Sequence, residues 1–417
     1  MRHWILSLGL GAALTWAVPG EAATVKWFIA ETNANQTAWM REVAKAYETA
    51  NPGTTIAIEV MAAEPYKGKL TTMLQSRDRP DLIYSWGGGV LHAQVEAGFL
   101  KDISADMKGA WAGTFGPAAV EAMSYKGKVY GAPVQITVSG LWYNKALLAK
   151  ANFDPARLST WDGLLQAVKT LKAAGITPFA VGGADKWPLN QYWAQIALRV
   201  GGRQAFENAM NRTGPGFDGP DIVQTSQLYR QFVDLEPFQK GFLGDTGPQA
   251  AGQFGDGKAA MAVIGNWHYA LQKNQSAQKG QPDDNIGWMP FPTVSGGKGD
   301  PTDLLSGING FLVTRDAPPE AVAFLRHYTS VEVQSDAARR GFFIPVAKGA
   351  EKALANPFFR DMAVRVQGAA YLQNYWDQML GPQAGRVVND ASTDLASGRI
   401  SAVEMGKAIQ QAWDLER

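Results

Sequence analysis

Trp86 stands at the end of a short apolar run and is followed by three glycines. The run Asp81–Ser85 has the length of a buried strand, and Gly87–Gly89 form a bend in which backbone can approach a ligand closely. An indole offers a flat apolar face, and the Ser85 hydroxyl can donate and accept hydrogen bonds. These residue types are suited to binding a ligand with a flat face and a polar rim. The alternative is that Trp86 fills the edge of its domain.

Two further polar residues alternate with apolar ones along a predicted strand. Gln135 and Thr137 point to one side of that strand, while Val134 and Ile136 point to the other. We interpret the polar pair as the ligand-facing one. The alternative is a purely structural role for both pairs.

Aromatic residues are unusually frequent in this chain. Its 417 residues include 14 Trp, 12 Tyr and 18 Phe, while 39 Lys and Arg are balanced by 38 Asp and Glu, for a net charge of +1. Many indoles in a nearly neutral chain indicate flat apolar surfaces presented to a neutral, ring-shaped ligand. The near-zero charge argues against a nucleic-acid partner, because no field attracts phosphate backbones.

No motif supports a reactive centre or a bound cofactor. The chain has no cysteine, which excludes disulfides and thiolate metal sites, and its four histidines are scattered without metal-ligand spacing. Gly214–Gly219 has the spacing of a dinucleotide-binding loop but follows no strand, and Gly252–Ala259 lacks the hydroxyl residue of a phosphate-binding loop. We therefore expect no metal and no cofactor.

The first 85 residues alternate between strand and helix patterns. Apolar runs of strand length and segments of helical spacing follow one another in the order Thr24–Ile29, Trp39–Ala50, Ile56–Val60, Tyr66–Arg77 and Asp81–Ser85. This order predicts an α/β fold with a parallel sheet that helices cover on both faces. In such sheets the ligand lies beyond the carboxyl ends of the strands, which places Glu31–Asn35 and Ser85–Gly89 at a binding edge.

The N-terminus has the pattern of a secretory signal peptide. Arg2 and His3 precede the apolar run Trp4–Val18, and small residues follow. We expect removal of residues 1–22 by cleavage after Ala22, with cleavage after Ala23 as the alternative. Because no cysteine is available for lipid attachment and the run is too short to span a bilayer, we expect free protein in the periplasm.

The stretch Tyr130–Lys150, which contains Trp142-Tyr143-Asn144-Lys145, resembles the first inter-domain crossing of the carbohydrate-binding proteins of ABC importers, the maltose-binding-protein family. Five further blocks occur in the family's order: Trp27–Glu31, Pro80–Ser104, Phe254–Trp267, Ile286–Thr314 and Ala396–Glu404. The resemblance implies a two-domain α/β periplasmic-binding-protein fold, type II-like, whose hinged domains close over a ligand in the cleft between them.

The resemblance also implies that each domain is built from two separate segments. The N-terminal domain is expected to comprise residues 24–134 and 286–333, and the C-terminal domain residues 139–285 and 340–417. The chain is expected to cross between the domains near residues 134–139, 285–287 and 333–340.

The same resemblance assigns ligand contacts to four residues. Glu31 stands where a family member carries a ligand-binding carboxylate, and Trp187 lies in the region where relatives place a stacking aromatic. Trp267 follows its strand as the family's stacking Trp does, and Trp376 lies in the stretch Asn374-Tyr375-Trp376-Asp377, which resembles the family's late aromatic patch. The alternatives are a helix-terminal or solvated charge for Glu31 and packing roles for Trp267 and Trp376.

Four polar residues complete the candidate site, because each can hydrogen-bond a sugar hydroxyl. Asp185 and Lys186 precede Trp187, Asn266 precedes Trp267, and Asn309 lies between two glycines, where a turn role is equally good. Other tryptophans are assigned to packing, namely Trp39, Trp111, Trp161, Trp193 and Trp288.

The expected function is the capture of a sugar or oligosaccharide and its delivery to the membrane permease of an ABC importer, by a monomer that performs no chemistry. The loop after Trp86 lacks the acidic and basic pair of the best-known maltose binder, so the identity of the sugar stays open. One alternative is a binding protein for another solute, such as a polyamine. The other is an exported glycosidase, although nothing in the sequence places two carboxylates across a bond.

Overall fold

Residues 23–416 are described by a computed structural model of the chain, and the predicted signal peptide lies outside these described residues. They form an α/β protein with two lobes, which confirms the predicted fold class. The core of the first lobe lies between Val25 and Val134 and between Phe311 and Val346. The core of the second lobe lies mainly between Val138 and Leu305 and between Leu354 and Ala412. Within residues 23–416, no helix combines the length and the apolar character needed to cross a membrane.

The strands of the described residues are, in chain order, β1 (Ala23–Ala30), β2 (Thr54–Met61), β3 (Leu82–Ser85), β4 (Ser124–Tyr125), β5 (Lys128–Val129), β6 (Gly131–Asn144), β7 (Thr177–Phe179), β8 (Ala259–Gly265), β9 (Ile286–Met289), β10 (Leu304–Val313), β11 (Ile344–Pro345) and β12 (Leu372–Gln373).

The helices before β9 are α1 (Ala34–Ala50), α2 (Ala63–Gln75), α3 (Gly88–Glu96), α4 (Gly109–Gly113), α5 (Pro117–Glu121), α6 (Lys145–Lys150), α7 (Trp161–Ala173), α8 (Trp187–Val200), α9 (Gly202–Met210), α10 (Pro220–Val233), α11 (Gly247–Gly255) and α12 (His268–Gln275). Those after β10 are α13 (Pro319–Tyr328), α14 (Val331–Arg340), α15 (Pro357–Gly368), α16 (Trp376–Met379), α17 (Gly381–Ala396) and α18 (Ala402–Leu415).

The sheet of the first lobe is built on β1, which pairs in parallel with β2 on one side and β3 on the other. The strand can occupy this central place because Trp27, Phe28 and Ile29 are all apolar and are buried between two layers of helices. The carboxyl ends of β1 and β3 therefore reach the same edge of the sheet, and the residues that follow them face the second lobe.

β6 and β10 are long antiparallel strands that pass from one lobe to the other. Residues 135–138 of β6 pair with residues 306–309 of β10, and a β-bulge at Val134 marks the point where the register shifts. β11 pairs with residues 135 and 136 on the other edge of β6. These three strands form the floor between the lobes, and β6 lies in the middle.

The structure differs from the predicted crossing at 285–287 and from the placement of the segment after it in the N-terminal domain. Residues 286–289 form β9, which pairs with residues 141–144 of β6, and Ile286 and Trp288 pack in the second core. The chain instead crosses along β10, since Leu305 belongs to the second core and Phe311 to the first. Both β9 and β10 read as apolar strands in the sequence, so the pattern alone did not separate them.

The second lobe buries a histidine at the start of α12. His268 is 3% exposed, its ring contacts those of Phe254 and Trp142, and its Nε2 atom has no hydrogen-bond partner among the described residues. Burial lowers the pKa of His268 to about 3 from its ordinary value of 6.5. The folded protein therefore holds this imidazole in the neutral form, while the unfolded chain protonates it readily.

This difference predicts a loss of stability in acid that removal of His268 relieves. Stability is fully present above about pH 6.5 and falls as the pH decreases toward about 3, by up to about 1.4 kcal/mol per pH unit, because protons favour the unfolded chain. The variant His268→Leu is expected to flatten this slope in urea unfolding measured across that range. His327→Leu is the comparison: burial also lowers the pKa of this half-buried histidine, but Glu332 opposes the shift, so this variant is expected to flatten the slope less. Equal slopes in wild type and His268→Leu would contradict the prediction.

Candidate ligand-binding site

A cavity of about 180 Å³ lies between the two lobes, against the floor strands β6 and β10. This volume is more than roughly ten times what one water molecule requires. Its walls come from the first lobe (Ala30, Glu31, Thr32, Asn33, Gln36, Ala63, Lys67, Tyr84, Trp86 and Phe342), from the floor (Gln135, Thr137 and Asn309) and from the second lobe (Trp187, Gln191, Asn266, Trp267, Ala270, Leu271, Tyr375, Asp377 and Gln378).

Three aromatic rings from the second lobe line one side of the cavity. The ring of Trp267 lies 6.0 Å from that of Trp187 and 6.2 Å from that of Tyr375, and both pairs meet edge to face. Trp267 can pack against the end of β8 because its indole occupies the space that a side chain at Gly265 would fill. Such edge-to-face packing fixes ring orientation, so these rings are held in place before a ligand arrives.

The first lobe contributes Trp86, whose ring meets that of Tyr84 edge to face at 5.0 Å. Trp86 is half-buried, as are Trp187 and Trp267. The tryptophans assigned to packing from the sequence are buried at 8% exposure or less, which confirms that assignment. Three of the four half-buried indoles of residues 23–416 thus lie on opposite sides of one cavity, and the fourth, Trp413, lies elsewhere.

The Tyr84 hydroxyl is a junction for three neighbouring strands. It accepts hydrogen bonds from Gln135 Nε2 and from Asn309 Nδ2, each at 2.8 Å. Gln135 and Asn309 are register partners on β6 and β10, so their amides reach the hydroxyl together. Burial raises the pKa of Tyr84, and the nearby charge of Glu31 raises it further, so the phenol stays protonated and can donate a hydrogen bond.

Glu31 follows β1 and turns its carboxylate back onto the backbone. Its Oε1 atom accepts hydrogen bonds from the N–H groups of Thr32 at 2.7 Å and Asn33 at 2.8 Å. Burial raises the pKa of Glu31, and the bonds from Asn33 and Thr32 act in the opposite direction. Its Oε2 atom has no partner within residues 23–416, so it is free to accept a hydrogen bond from a ligand.

Two polar contacts connect the second lobe to the floor. The Tyr375 hydroxyl donates to Thr137 Oγ1 at 2.9 Å, and Thr137 in turn donates to the carbonyl of Gly307 at 3.1 Å. Asn266 extends the β6–β8 ladder, since its N–H donates to Val138 O and its Oδ1 accepts from Val138 N. The Asn266 Nδ2 donor has no acceptor among the described residues and belongs to the cavity wall.

Lys67 approaches the cavity from α2 and connects both lobes. Its Nζ atom lies 2.9 Å from Glu64 Oε1 in its own helix and 3.9 Å from Asp377 Oδ2 in the second lobe. The same ammonium lies 5.3 Å from the centre of the Trp86 ring, over its face. Sequence reasoning missed this residue, since nothing about a lysine in an amphipathic helix distinguishes it from a solvated one.

The structure brings eight of the twelve predicted site residues to the cavity wall, namely Glu31, Trp86, Gln135, Thr137, Trp187, Asn266, Trp267 and Asn309. Tyr84, Tyr375, Asp377 and Gln378 join them there without having been predicted. Tyr84 is the penultimate residue of β3 and precedes Trp86 by two positions. The two-residue alternation of a strand could therefore have placed it on the same side as Trp86.

Three of the remaining predicted residues support the wall from behind or lie apart from it. Ser85 is 4% exposed, and its hydroxyl accepts a hydrogen bond from the N–H of Gly87 at 3.0 Å, which fixes the glycine bend. Asp185 accepts from the N–H of Gly247 at 2.6 Å and so anchors the start of α11. Lys186 pairs with Asp390 at 2.6 Å on the surface of the second lobe.

The prediction that Trp376 contacts the ligand is wrong. Trp376 is 3% exposed and packs edge to face against the rings of Trp193, Phe206 and Phe217 in the second core. Its neighbour Tyr375 faces the cavity instead. The start of α16 rotates successive side chains to different sides, and the aromatic cluster in the sequence does not reveal which of them faces the ligand.

The sequence profile described as bacterial extracellular solute-binding protein matches residues 31–335. The chain belongs to this family. The match covers well over half of the chain and confirms the resemblance predicted from the sequence.

Individual relatives of this chain have low sequence identity to it. The multiple sugar-binding protein of Streptococcus mutans is 26% identical over 288 residues, which cover 67% of this chain and 64% of that protein. An uncharacterized ABC transporter extracellular-binding protein of Pyrococcus horikoshii is 27% identical over 178 residues, 42% of this chain and 39% of that protein. The chain thus matches from 39% to 64% of the length of these curated relatives.

Solved structures match over nearly the whole chain. One from a study of xylan utilization by Caldanaerobius polysaccharolyticus has a TM-score of 0.87 and 28% identity, and the match covers 93% of this chain and 99% of that one. A chitin oligosaccharide binding protein has a TM-score of 0.86 at 24% identity, covering 95% and 99% of the two chains, and supports the fold alone.

The core position of Trp376 predicts a large loss of stability when its ring is removed. Trp376→Ala is expected to lower the free energy of unfolding by about 3–5 kcal/mol, because it leaves a cavity among packed aromatic rings. Trp267→Ala is the matched control and is expected to cost less, since Trp267 is half-buried. Urea unfolding measures both variants, and equal losses would contradict the core assignment.

Proposed function

We propose that this protein is an exported carbohydrate-binding protein that captures a sugar or oligosaccharide between its lobes and delivers it to the permease of an ABC importer. The observation that carries the proposal is the cavity itself, in which half-buried indoles from both lobes stand beside amide, hydroxyl and carboxylate groups. Indole faces suit the C–H faces of a pyranose, and the polar groups suit its hydroxyls. The family description supports the binding of a solute, and the name of the Streptococcus mutans relative supports the same ligand class.

The proposal includes export of the protein from the cytoplasm. The family is described as extracellular, and the first 22 residues have the pattern of a signal peptide. We place the mature protein in the periplasm, as a monomer whose partner is the membrane permease. It binds its ligand without chemistry.

Closure of the lobes is the proposed mechanism. Trp86 and Glu31 belong to the first lobe and Trp187 and Trp267 to the second, so a ligand that touches both sets stabilises the closed arrangement through contacts that an open one lacks. The floor strands β6, β10 and β11 are the segments about which such closure would turn.

A thermal-shift screen against mono- and oligosaccharides tests the proposal. A ligand at 100 times its dissociation constant is expected to add about 2.7 kcal/mol to stability, and small-angle scattering of the same sample is expected to show compaction. A response to spermidine with none to any glycan would instead support a polyamine-binding protein. Steady release of reducing ends from a bound glycan would indicate a glycosidase and overturn the proposal.

Trp267 provides the sharpest single test of the site. Trp267→Ala is expected to weaken binding of the best glycan by about 1–3 kcal/mol, roughly five- to 150-fold, because it removes a stacking face. Trp413→Ala is the matched control, since Trp413 is half-buried in α18 and is not part of the cavity wall. Calorimetric titration measures both, and an unchanged affinity in Trp267→Ala would discard its role.

A further inference from the structure

Two contacts bridge the lobes on opposite faces of the first-lobe sheet. The connection β1–α1–β2 and the connection β2–α2–β3 run across this sheet in opposite directions, because β1 lies between β2 and β3. Since such parallel crossovers are right-handed, α1 and α2 lie on opposite faces. Each helix starts at the edge that faces the second lobe, and each carries one of the bridging contacts near its start.

The first contact joins the start of α1 to α12 of the second lobe. Asn274 Nδ2 donates a hydrogen bond to Asn33 Oδ1 at 3.1 Å. The same Oδ1 atom caps α1 by accepting from the N–H groups of Asn35 and Gln36, so the acceptor is held in a fixed position. Asn33 lines the cavity, which is therefore bounded on this face of the sheet.

The second contact joins α2 to α16. Lys67 approaches Asp377 across the cleft at 3.9 Å while its ammonium covers one face of the Trp86 ring. Trp86, Lys67 and Asp377 all line the cavity, so the ammonium stands between the ligand space and the exterior on this face. Lys67 is partly exposed, at 30% of its side chain, and Asp377 is more deeply buried, at 12%.

Close backbone contacts beside Trp86 leave no second opening for a ligand next to the Lys67–Asp377 contact. A Cβ atom placed on Gly88 would lie 2.7 Å from Gln378 O, and one placed on Gly89 would lie 2.6 Å from Met379 O. The start of α3 and the α16–α17 segment thus meet without side chains between them. A sugar ring has no room to pass between these two segments.

We propose that the Lys67–Asp377 contact limits the length of the bound glycan, so that the protein selects short oligosaccharides. This inference rests on the proposed function. A long glycan chain that lies across the cleft, parallel to the floor strands' edge, extends toward one or both faces of the first-lobe sheet, and each face carries a bridging contact. The ligand that fits is one whose rings lie wholly between Asn274 and Lys67. Lys67 is then a specificity-determining residue, since its side chain ends the row of binding positions at Trp86.

Calorimetric titration with three series of glycans tests this inference: glucose to maltohexaose, xylose to xylohexaose, and N-acetylglucosamine to chitohexaose. In the wild type, affinity within the series that binds is expected to level off or fall beyond two or three rings. Lys67→Ala is expected to raise the affinity of the six-ring member relative to the two-ring member by at least about tenfold, because further rings can then extend past Trp86. Asp377→Asn, which keeps the size of the side chain, is expected to shift the same ratio in the same direction.

Lys69→Ala is the matched control, because Lys69 lies on the same helix, is exposed and does not line the cavity. It is expected to reproduce the wild-type length profile. A wild-type affinity that rises steadily to six rings, or an unchanged ratio in Lys67→Ala, would overturn the length limit and leave the carbohydrate function intact. If none of these series binds, the series built on the best glycan of the thermal-shift screen takes their place. If no glycan of that screen binds the wild type, the carbohydrate function is wrong and the length limit falls with it.

Discussion

The antiparallel pairing of β6 with β10 positions the polar groups of the cavity floor. Both strands pass from one core to the other, and their middle residues Gln135, Thr137 and Asn309 line the ligand space. Gln135 and Asn309 face each other across this pairing and converge on the Tyr84 hydroxyl, while Thr137 receives Tyr375 from the second lobe. A shift of one residue in register would turn the polar side chains of the shifted strand away from the cavity and break these bonds.

Sequence reasoning was most successful where chemistry and strand direction agree. Glu31 and Trp86 follow strands of a parallel sheet, and the carboxyl ends of such strands meet at one edge whatever the details of packing. Gln135 and Thr137 followed from the two-residue period of a strand. In these cases backbone geometry alone determines where the side chain lies.

The failures share a different physical origin. Whether Tyr375 or Trp376 faces the cavity depends on the rotation of a four-residue helix, which packing against Phe206 and Phe217 decides. The lobe that holds β9 depends on whether the strand pairs with the first or the last residues of β6, and an apolar strand carries no mark of its partner. Lys67 was missed because its importance comes from Asp377, a residue more than 300 positions away in the chain.

The charges around the cavity are nearly balanced, as are those of the whole chain. Among the described wall residues, Lys67 is the only cation, and Glu31 and Asp377 are the carboxylates. Since Lys67 approaches Asp377, most of the local charge is compensated within the protein. An ionic ligand would lose its hydration on entering the cavity, and few uncompensated charges are there to offset that cost. A neutral polyhydroxy ligand instead meets donors and acceptors that are already oriented.

Asn266 ties the ligand-facing wall of the second lobe to Val138 of β6 by two hydrogen bonds. The residue thus belongs to the mechanical linkage between the lobes as well as to the recognition surface. An evolutionary or engineered change of ligand preference at this position would at the same time alter the stiffness of that linkage. A substitution at Asn266 therefore changes ligand selectivity and the ease of lobe movement together. Adaptation to a new ligand is easier at positions such as Trp187, which make no bond to the crossing strands.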